Sequence, residues 1–301
     1  MSDDAALIAA QHESRRRFLE LVAEIRPELH RYCARMVGSI TDGEDVVQDA
    51  LARAYYALPE METMPPLRPW LFRIAHHRAL DHLKRYDVRM REPLDAGRED
   101  ADAAADPDDA LAREEATRAA ITRFVDLAPA QRSAVVLKDV LGHSLDEIAA
   151  LLELTLPAVK AALHRGRERL RESVPAARAA RAARAASPLI ARYAALFNAR
   201  DWDGVRALLA EDVQLDLVSR VRRAGKRSVG NYFSNYDRLD DWHLVPAWLD
   251  GREVIAVHRN AREAEPAYFI ELGEAERGIV AIRDFRYVPY IARDAQLAPR
   301  G

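Results

Sequence analysis

The most informative segment of this sequence is residues 143–173, which read HSLDEIAALLELTLPAVKAALHRGRERLRES. Ser144 followed by Glu147 matches a capping box and predicts that a helix begins directly after the serine. Thr155 can cap a second helix, because Pro157 is tolerated only in a first helical turn. Two helices joined by about three residues are typical of a helix-turn-helix.

The second predicted helix separates its side chains by face, at roughly 100° per residue. One face is apolar and another is basic; the first consists of Val159, Leu163, Gly166 and Leu170, and the second of Lys160, His164, Arg167 and Arg171. Such a stripe can lie in a major groove, with its first side chains at base edges and its later arginines at phosphates. A basic stripe alone is often a solvated face, so the capped helix and tight turn before it are what favour DNA binding.

Length, charge and cysteine content limit the classes of protein in which this motif can occur. The chain has 301 residues, which predicts two or three compact units. Its formal net charge of −3 does not exclude a nucleic-acid binder, because the basic residues are clustered. Cys33 is the only cysteine, so an internal disulfide is excluded and a Cys-based metal site is disfavoured. Without a signal-peptide pattern or a long apolar run, we expect a cytoplasmic protein with no membrane contact.

The chain changes character several times along its length. Apolar residues recur at three- and four-residue intervals before residue 91, which predicts helices. Residues 92–109, EPLDAGREDADAAADPDD, are acidic and poor in large apolar side chains, which predicts a solvated linker. Helices resume after it and run to Ser173. The Ala/Arg segment that follows, with Arg178, Arg181 and Arg184, is interpreted as a helical connector.

From Ser187 the pattern becomes mixed. Two helical runs, SPLIARYAALFNA and WDGVRALLA, precede runs rich in β-branched and aromatic residues. The strand-like runs are VQLDLV, WHLVPAWLD, EVIAVHR, AYFIEL and GIVAIRDFRYV. This order predicts an α+β domain with a mostly antiparallel sheet.

The helix-turn-helix also carries a family resemblance. LPAVKAALHRGRERL resembles the −35 recognition helix of extracytoplasmic-function (ECF) sigma factors, and the residues before it resemble the rest of their domain 4. The resemblance implies −35 DNA contacts from Ala158, Lys160, Ala161, His164, Arg165, Arg167 and Arg171. Alanines at positions 158, 161 and 162 stand where the family has Thr, Ser and Arg, so fewer polar groups face the bases. Glu153 replaces the usual glycine of the turn, where a positive φ costs on the order of 1 kcal/mol.

A second resemblance concerns the polymerase-binding helix of sigma domain 2. The segment GEDVVQDALARAYYAL is similar to the helix that docks on the β′ clamp of core RNA polymerase. The residues at matching positions are Asp45, Gln48, Asp49, Arg53 and Tyr55. An exposed face that mixes carboxylates with Arg and Tyr suits docking. An ordinary amphipathic helix would have the same pattern.

RPWLFRIAHHRALDHLKRYDVRMR resembles the helix that reads and melts the −10 element. The resemblance implies −10 contacts from Trp70, Arg73, His77, Arg78 and Lys84. Aromatic faces and cations can capture flipped or single-stranded bases, although for Trp70 we favour the interpretation as a buried anchor over direct base stacking. The adjacent residues His76 and His77 point about 100° apart on a helix and lack a further ligand at metal spacing, so we predict neither a metal site nor a cofactor.

The C-terminal region resembles SnoaL/NTF2-like domains through ARYAALFNARDWDGVRALLAEDVQLDLV. The resemblance implies a cone-shaped α+β fold, closed by a third helix within VRRAGKRSVGNYFSNY, that regulates the sigma domains in cis by intramolecular contact. Some members of the superfamily are enzymes with a carboxylate base and a Tyr donor. Residues that could line such a cavity, or simply form the core, are Asp212, Asp216, Tyr232, Tyr236, Trp242, His243 and Trp248.

The sequence therefore predicts a multidomain, non-enzymatic sigma factor that binds core RNA polymerase and promoter DNA. The predicted parts are sigma domain 2 (1–91), the acidic linker (92–110), sigma domain 4 (111–174), the connector (175–187) and the NTF2-like domain (188–301). One alternative is a small-molecule enzyme or ligand sensor in the NTF2-like domain, recruited to DNA by the helices. An ordinary helix-turn-helix repressor is disfavoured by the domain-2-like region.

Overall fold

A computed structural model describes residues 2–61, 63, 65–90, 110–172, 187–233, 236, 239, 242–295 and 297–298. It divides the chain into two compact units, Met1–Val174 and Pro175–Gly301. The predicted acidic linker and Ala/Arg connector lie outside the described residues, apart from one terminal residue of each. No helix in the described part of the chain is long and apolar enough to cross a membrane.

The first unit is helical throughout its described residues. Its helices are α1 (Ser2–Val37), α2 (Ile40–Ala57), α3 (Leu67–Met90), α4 (Ala110–Arg118), α5 (Pro129–Val135), α6 (Leu145–Leu152) and α7 (Leu156–Glu172). Short 3₁₀ segments lie at Leu58–Glu60 and Ile121–Asp126, and a π-helical turn at Val136–Val140 follows α5. Ser39 is the N-cap of α2, and its hydroxyl accepts a hydrogen bond from the backbone N–H of Asp42 at 3.2 Å.

The two predicted sigma domains share one hydrophobic core. Leu29 and Phe72 from the N-terminal helices lie in the same buried cluster as Val135 and Leu163 from the C-terminal helices. Helix α3 packs on α6, and the rings of Phe72 and His143 are 5.3 Å apart in an edge-on arrangement. The first unit is therefore a single closed body rather than two separate helical bundles.

The helix-turn-helix has the predicted local structure. Ser144 Oγ accepts from the backbone N–H of Glu147, whose carboxylate accepts from the backbone N–H of the serine at 2.7 Å. The capping box is thereby confirmed. Glu153 ends α6 in the left-handed region, with φ 57° and ψ 39°, so this residue occupies the strained turn position that the sequence predicted.

The second unit is an α+β domain. It contains α8 (Pro188–Asn198), α9 (Trp202–Ala207), β1 (Leu209–Leu217), β2 (Val221–Ala224), α10 (Lys226–Tyr232), β3 (His243–Leu249), β4 (Arg252–His258), β5 (Tyr268–Ala275), β6 (Gly278–Asp284) and β7 (Leu297–Ala298). The sheet order is β2-β1-β6-β5-β4-β3-β7, with β1 and β6 parallel and the other pairs antiparallel. Helix α8 packs on β3 and α10 on β1. The predicted fold class is confirmed.

The predicted third helix within residues 221–236 is present as α10, although it is only seven residues long, and the residues that precede it form strand β2. Val221 and Arg222 pair with Leu217 and Asp216 across the antiparallel β1–β2 ladder. Gly225 ends the strand with φ 85°, a conformation that other residues rarely adopt, and the helix begins after it.

Candidate nucleic-acid interface

The predicted basic stripe of α7 does not lie on one exposed face. Lys160 is exposed and His164 is half-buried, as predicted for a DNA-facing helix. Arg167, however, is only 6% exposed, and Ala161 is also buried. Their geometry does not support the predicted DNA contacts of these two residues, because both belong to the packed side of the helix.

The side chain of Arg167 has a different partner. Its guanidinium binds the carboxylate of Asp139 in the π-helical turn through two bonds, from Nε to Oδ2 at 2.9 Å and from Nη2 to Oδ1 at 2.6 Å. Both side chains are buried, so removing either one leaves a buried charge without its partner, a change that typically costs 3–5 kcal/mol. Arg167 therefore anchors the recognition helix to the rest of the first unit.

The other −35 positions remain closer to solvent. Ala158 and Arg165 are half-buried, and Arg171 is exposed with its Nε 3.1 Å from Glu115 Oε2. His164 Nε2 lies 3.4 Å from Glu168 Oε1. The N-terminal half of α7, where Lys160 lies, is thus the part with a geometry suited to base or phosphate contact.

The predicted −10 residues of α3 divide in the same way. Arg73, His77 and Lys84 are exposed. Trp70 is half-buried and packs against the core, which favours its interpretation as an anchor. The Arg78 side chain is only 11% exposed.

Two acidic residues hold the Arg78 guanidinium. Its Nε lies 3.5 Å from Asp49 Oδ2 on α2, and its Nη2 pairs with Asp81 one turn further along α3. Arg78, which was predicted to contact −10 DNA, therefore forms an ion pair that joins α3 to α2. Asp49 also approaches Arg53, with Oδ1 3.4 Å from Nε.

His76 is buried, unlike its exposed neighbour His77. Its Nδ1 lies 2.7 Å from the hydroxyl of Tyr32, which is 3.1 Å from Ser133 Oγ on α5. Burial lowers the pKa of His76 to about 4, so the imidazole is neutral at pH 7. Within the described ranges, no group of three or more His, Cys, Asp or Glu side chains could hold a metal ion.

The predicted polymerase-binding face of α2 is largely exposed, and one residue must be added to it. Asp45, Asp49 and Arg53 are exposed, whereas Gln48 and Tyr55 are half-buried. The ring of the latter packs 6.2 Å from that of Phe18 on α1.

Tyr56 was not predicted to belong to this face, but its side chain is 76% exposed. It follows Asp49 by seven residues, which is two helical turns, so it lies on the same side of α2. That spacing was readable in the sequence, whereas its exposure was not.

In the second unit, three of the candidate cavity residues come together. Tyr232 and Tyr236 have hydroxyl oxygens 3.1 Å apart, and the ring of Tyr236 is 5.4 Å from that of Trp242. The sequence interpretation missed Asp284, whose Oδ2 accepts from the Tyr236 hydroxyl at 3.0 Å and whose Oδ1 accepts from the backbone N–H of Arg286 at 2.9 Å. Burial raises the pKa of this carboxyl to about 6.

The remaining candidate cavity residues lie elsewhere. Asp212 and Asp216 form ion pairs on the surface with Arg277 at 2.8 Å and Arg222 at 3.2 Å. His243 and Trp248 are half-buried at opposite ends of β3. These four residues do not join the tyrosine network.

Comparison with known proteins places these elements in a family. The Sigma-70 region 2 model matches residues 21–89, and the Sigma-70 region 4 model matches residues 121–170. The ECF RNA polymerase sigma factor SigG of Mycobacterium tuberculosis is 34% identical over 206 residues, covering 59% of this chain and 55% of that protein. SigW of Bacillus subtilis is 30% identical over 170 residues, covering 52% of this chain and 88% of that protein.

The matches differ in how much of each relative they cover. The chain spans about half the length of SigG, although it spans most of SigW. Among solved structures, the extracytoplasmic function sigma factor SigJ of M. tuberculosis is 22% identical with a TM-score of 0.36, covering 88% of this chain and 95% of that one. With regions 2 and 4 in order on one helical unit, the chain belongs to the ECF RNA polymerase sigma factors.

Proposed function

We propose that this chain is a transcription initiation factor that binds core RNA polymerase and directs it to promoter DNA in the cytoplasm. The observation that carries the proposal is the combination of a region 2 match and a region 4 match with a capped helix-turn-helix in the second of them. The exposed residues on α2, α3 and α7 then acquire separate roles.

The face of α2 is the proposed polymerase contact. It presents Asp45, Asp49, Arg53 and Tyr56 along one side of the helix. Tyr and Arg side chains at the centre of an interface commonly carry most of its binding energy. We therefore assign the largest contribution to Tyr56 and Arg53, with the two aspartates fixing orientation.

The proposed DNA contacts are fewer than the sequence alone suggested. Lys160 and His164 on α7 are assigned to the −35 element, and Arg73, His77 and Lys84 on α3 to the −10 element. Arg167 and Arg78 are assigned structural roles through their buried carboxylate partners. Because cations dominate this set, promoter affinity is expected to fall steeply with salt.

The closed first unit has to open in order to perform this function. Elements centred at −35 and −10 are about 25 base pairs apart, which is roughly 85 Å at 3.4 Å per base pair. In the closed unit α3 packs on α6 and α6 packs on α7, so the two proposed DNA-reading helices, α3 and α7, are separated by about two interhelical distances, roughly 20 Å. Polymerase binding must therefore separate the domain 2 helices from the domain 4 helices.

The interface that has to separate is partly polar. Arg132 on α5 donates to the backbone carbonyls of Met36 on α1 and of Leu127, the latter at 2.9 Å. Tyr32 and Ser133 join the same two helices. Such groups can exchange these bonds for bonds to water on opening, which makes separation less costly than for an all-apolar interface.

For the second unit we propose regulation of the sigma domains in cis. Its attachment to a complete pair of sigma regions supports this role. No observation favours the enzyme alternative, because the carboxylate of Asp284 is 2% exposed and already accepts from two groups within its own domain.

Core polymerase binding and run-off transcription test the proposal together. The variant Arg53→Ala/Tyr56→Ala should weaken binding of core RNA polymerase by at least about tenfold, since each side chain is a candidate hot spot. The matched control Arg16→Ala/Leu19→Ala removes an exposed arginine and an exposed apolar side chain from α1. Equal polymerase affinity for the two double variants would contradict the proposed docking face.

The cis-regulatory part has its own test. Deleting residues from Ser187 onward should change run-off transcription rates or promoter choice with purified core polymerase. A truncated chain that retains its helical circular dichroism and transcribes like the full chain would overturn this part alone.

A further inference from the structure

A dense basic patch lies on the second unit. Between positions 220 and 227 the chain carries five cations, Arg220, Arg222, Arg223, Lys226 and Arg227. We call this group the edge patch. Strand β2 is the outermost strand of the sheet beside β1, and all four of its residues are exposed.

Only part of this charge is balanced locally. Arg222 Nε lies 3.2 Å from Asp216 Oδ2, and Lys226 Nζ lies 3.4 Å from Glu211 Oε1. Arg223 and Arg227 have no ion pair or hydrogen bond within the part of the chain that the structure describes. The edge patch therefore has a local excess of positive charge although the whole chain has a formal charge of −3.

Two further features adjoin these cations. The guanidinium of Arg220 lies over the ring of Tyr287, 5.1 Å from its centroid, and that ring is 42% exposed. A shallow surface cleft of about 550 Å³ is lined by Lys226, Arg227 and the polar side chains of Ser228 and Asn231, among others. Lysine, arginine, hydroxyl and amide side chains are the hydrogen-bond donors with which proteins commonly bind phosphate oxygens.

We propose that the edge patch binds the phosphate backbone of duplex DNA without reading its sequence. This inference goes beyond the proposed initiation function, since it gives the second unit a direct nucleic-acid contact of its own. Side chains on one face of a strand recur about every 6.6 Å, because successive residues point to opposite faces, and this is close to the axial rise of two phosphates along one DNA strand. An extended cationic strand can therefore follow a DNA backbone.

DNA is favoured over an acidic protein as the occupant for two reasons. The first unit already brings the chain to DNA, so a covalently attached weak phosphate site gains a high effective concentration. The exposed large apolar side chains beside the patch are Val221 and Tyr287, and the ring of the latter is already covered in part by Arg220, whereas stable protein interfaces need a buried core of apolar residues. Cations on an edge strand also block strand-to-strand aggregation. The experiment below distinguishes this role from DNA binding.

The test uses the full chain and a 40-base-pair fluorescent duplex without promoter elements, titrated at NaCl concentrations between 50 and 250 mM. The variant Arg223→Gln/Arg227→Gln removes the two unpaired cations. We expect the slope of log K against log[NaCl] to become shallower by about 1.8, which is about 0.9 for each lost phosphate contact. Affinity at 100 mM NaCl should fall about tenfold or more.

Two matched variants control for charge and for folding. Arg259→Gln/Arg262→Gln removes two exposed arginines from the β4–β5 turn of the same unit and should leave the slope unchanged. Arg223→Lys/Arg227→Lys keeps both charges and should keep most of the affinity, since backbone contacts depend on charge more than on side-chain shape.

Several outcomes would overturn the inference. These are a full chain that does not bind the duplex at 50 mM NaCl, an unchanged slope in Arg223→Gln/Arg227→Gln, or an equal loss in the β4–β5 control. Unchanged DNA binding with increased self-association would identify edge protection instead, and unchanged DNA binding with weaker core polymerase binding would identify a protein partner. Lys160→Ala tests the initiation function separately through run-off transcription, so the two proposals can fail independently.

Discussion

Each unit contains a chain of hydroxyl groups inside its hydrophobic core, and the two chains end on groups of opposite character. In the first unit Tyr32 joins Ser133 to His76, which is a base. In the second unit Tyr236 joins Tyr232 to Asp284, which is an acid. Both titratable groups are buried, and burial favours the neutral form in each case.

The comparison shows that the same physical cause acts in opposite directions with pH. Burial lowers the pKa of His76 to about 4, below its ordinary value of about 6.5, and raises the pKa of Asp284 to about 6, above its ordinary value of about 3.9. At a pH between the folded and unfolded pKa values of His76, the unfolded chain binds more protons at this residue. At a pH between the two pKa values of Asp284, the folded chain binds more protons at the carboxyl. Acid therefore destabilises the first unit and stabilises the second.

The strongest way to break this comparison is to remove the acid. Asp284→Ala leaves the Arg286 N–H without the acceptor it has in the native domain and the Tyr236 hydroxyl without its carboxylate acceptor, although Tyr232 remains a hydrogen-bond partner of that hydroxyl, and it also opens a cavity. The free energy of unfolding of the second unit should fall by about 2–5 kcal/mol. Pulsed hydrogen exchange along a urea series measures it, because peptides from each unit report that unit separately.

Asp284→Asn is the control for this change. The amide keeps an oxygen that can accept from Tyr236 and fills the same volume, but it does not ionise. A loss as large as that of the alanine variant would mean that the carboxylate charge, rather than the satisfied hydrogen bonds, stabilises the domain.

The pH dependence itself is the next test. From pH 7 to pH 5 the free energy of unfolding should fall by roughly 1–2 kcal/mol in the first unit and rise by roughly 1 kcal/mol in the second, by linkage from the pKa values of His76 and Asp284. His76→Gln should reduce the first dependence, part of which remains because burial also lowers the pKa of His143, and Asp284→Asn should flatten the second. The same sign in both units, or a variant that flattens the other unit's dependence, would refute the assignment.

A smaller effect distinguishes the roles of the two networks. Tyr32→Phe and Tyr236→Phe each remove one hydroxyl, with an expected cost of about 1 kcal/mol to the unit concerned. Only the first joins helices that we propose to separate on the promoter, so only Tyr32→Phe should also increase transcription, by up to about fivefold for 1 kcal/mol. Run-off assays with limiting sigma factor measure this, and an equal change in both variants would show that the Tyr32 contact does not restrain opening.

Whether an interaction could be predicted from the sequence depends on how far apart its two residues lie along the chain. The capping box joins residues three apart, so Ser144 and Glu147 were readable as a pair, as was the turn position of Glu153. Tyr32 and Ser133 are separated by 101 residues, and Tyr236 and Asp284 by 48. No local pattern relates such pairs; their contact exists only after helices and strands have packed.

The same limit applies at the candidate interface. A helical wheel grouped Arg167 with Lys160 and His164, but it contained no information about Asp139, whose buried carboxylate lies 28 residues away in sequence. Arg167 is buried because its ion-pair partner, Asp139, is buried in the π-helical turn, which is a different element from α7. The wheel predicted the direction of the side chain and not its environment.

The smallest expected effect concerns a feature that the sequence did predict. Glu153 holds a left-handed conformation at φ 57° and has no glycine-like freedom there. Glu153→Gly should raise the free energy of unfolding of the first unit by up to about 1 kcal/mol, because the strain of the side chain in this region exceeds the added entropy of the unfolded chain. Thermal unfolding should show a higher midpoint for this variant, whereas Glu172→Gly at the end of α7 should give no increase. Since the turn is local, the gain should be the same at pH 5 and pH 7, in contrast to the pH-dependent contributions of His76 and Asp284; a gain that varies with pH would mean that the turn is coupled to the buried network.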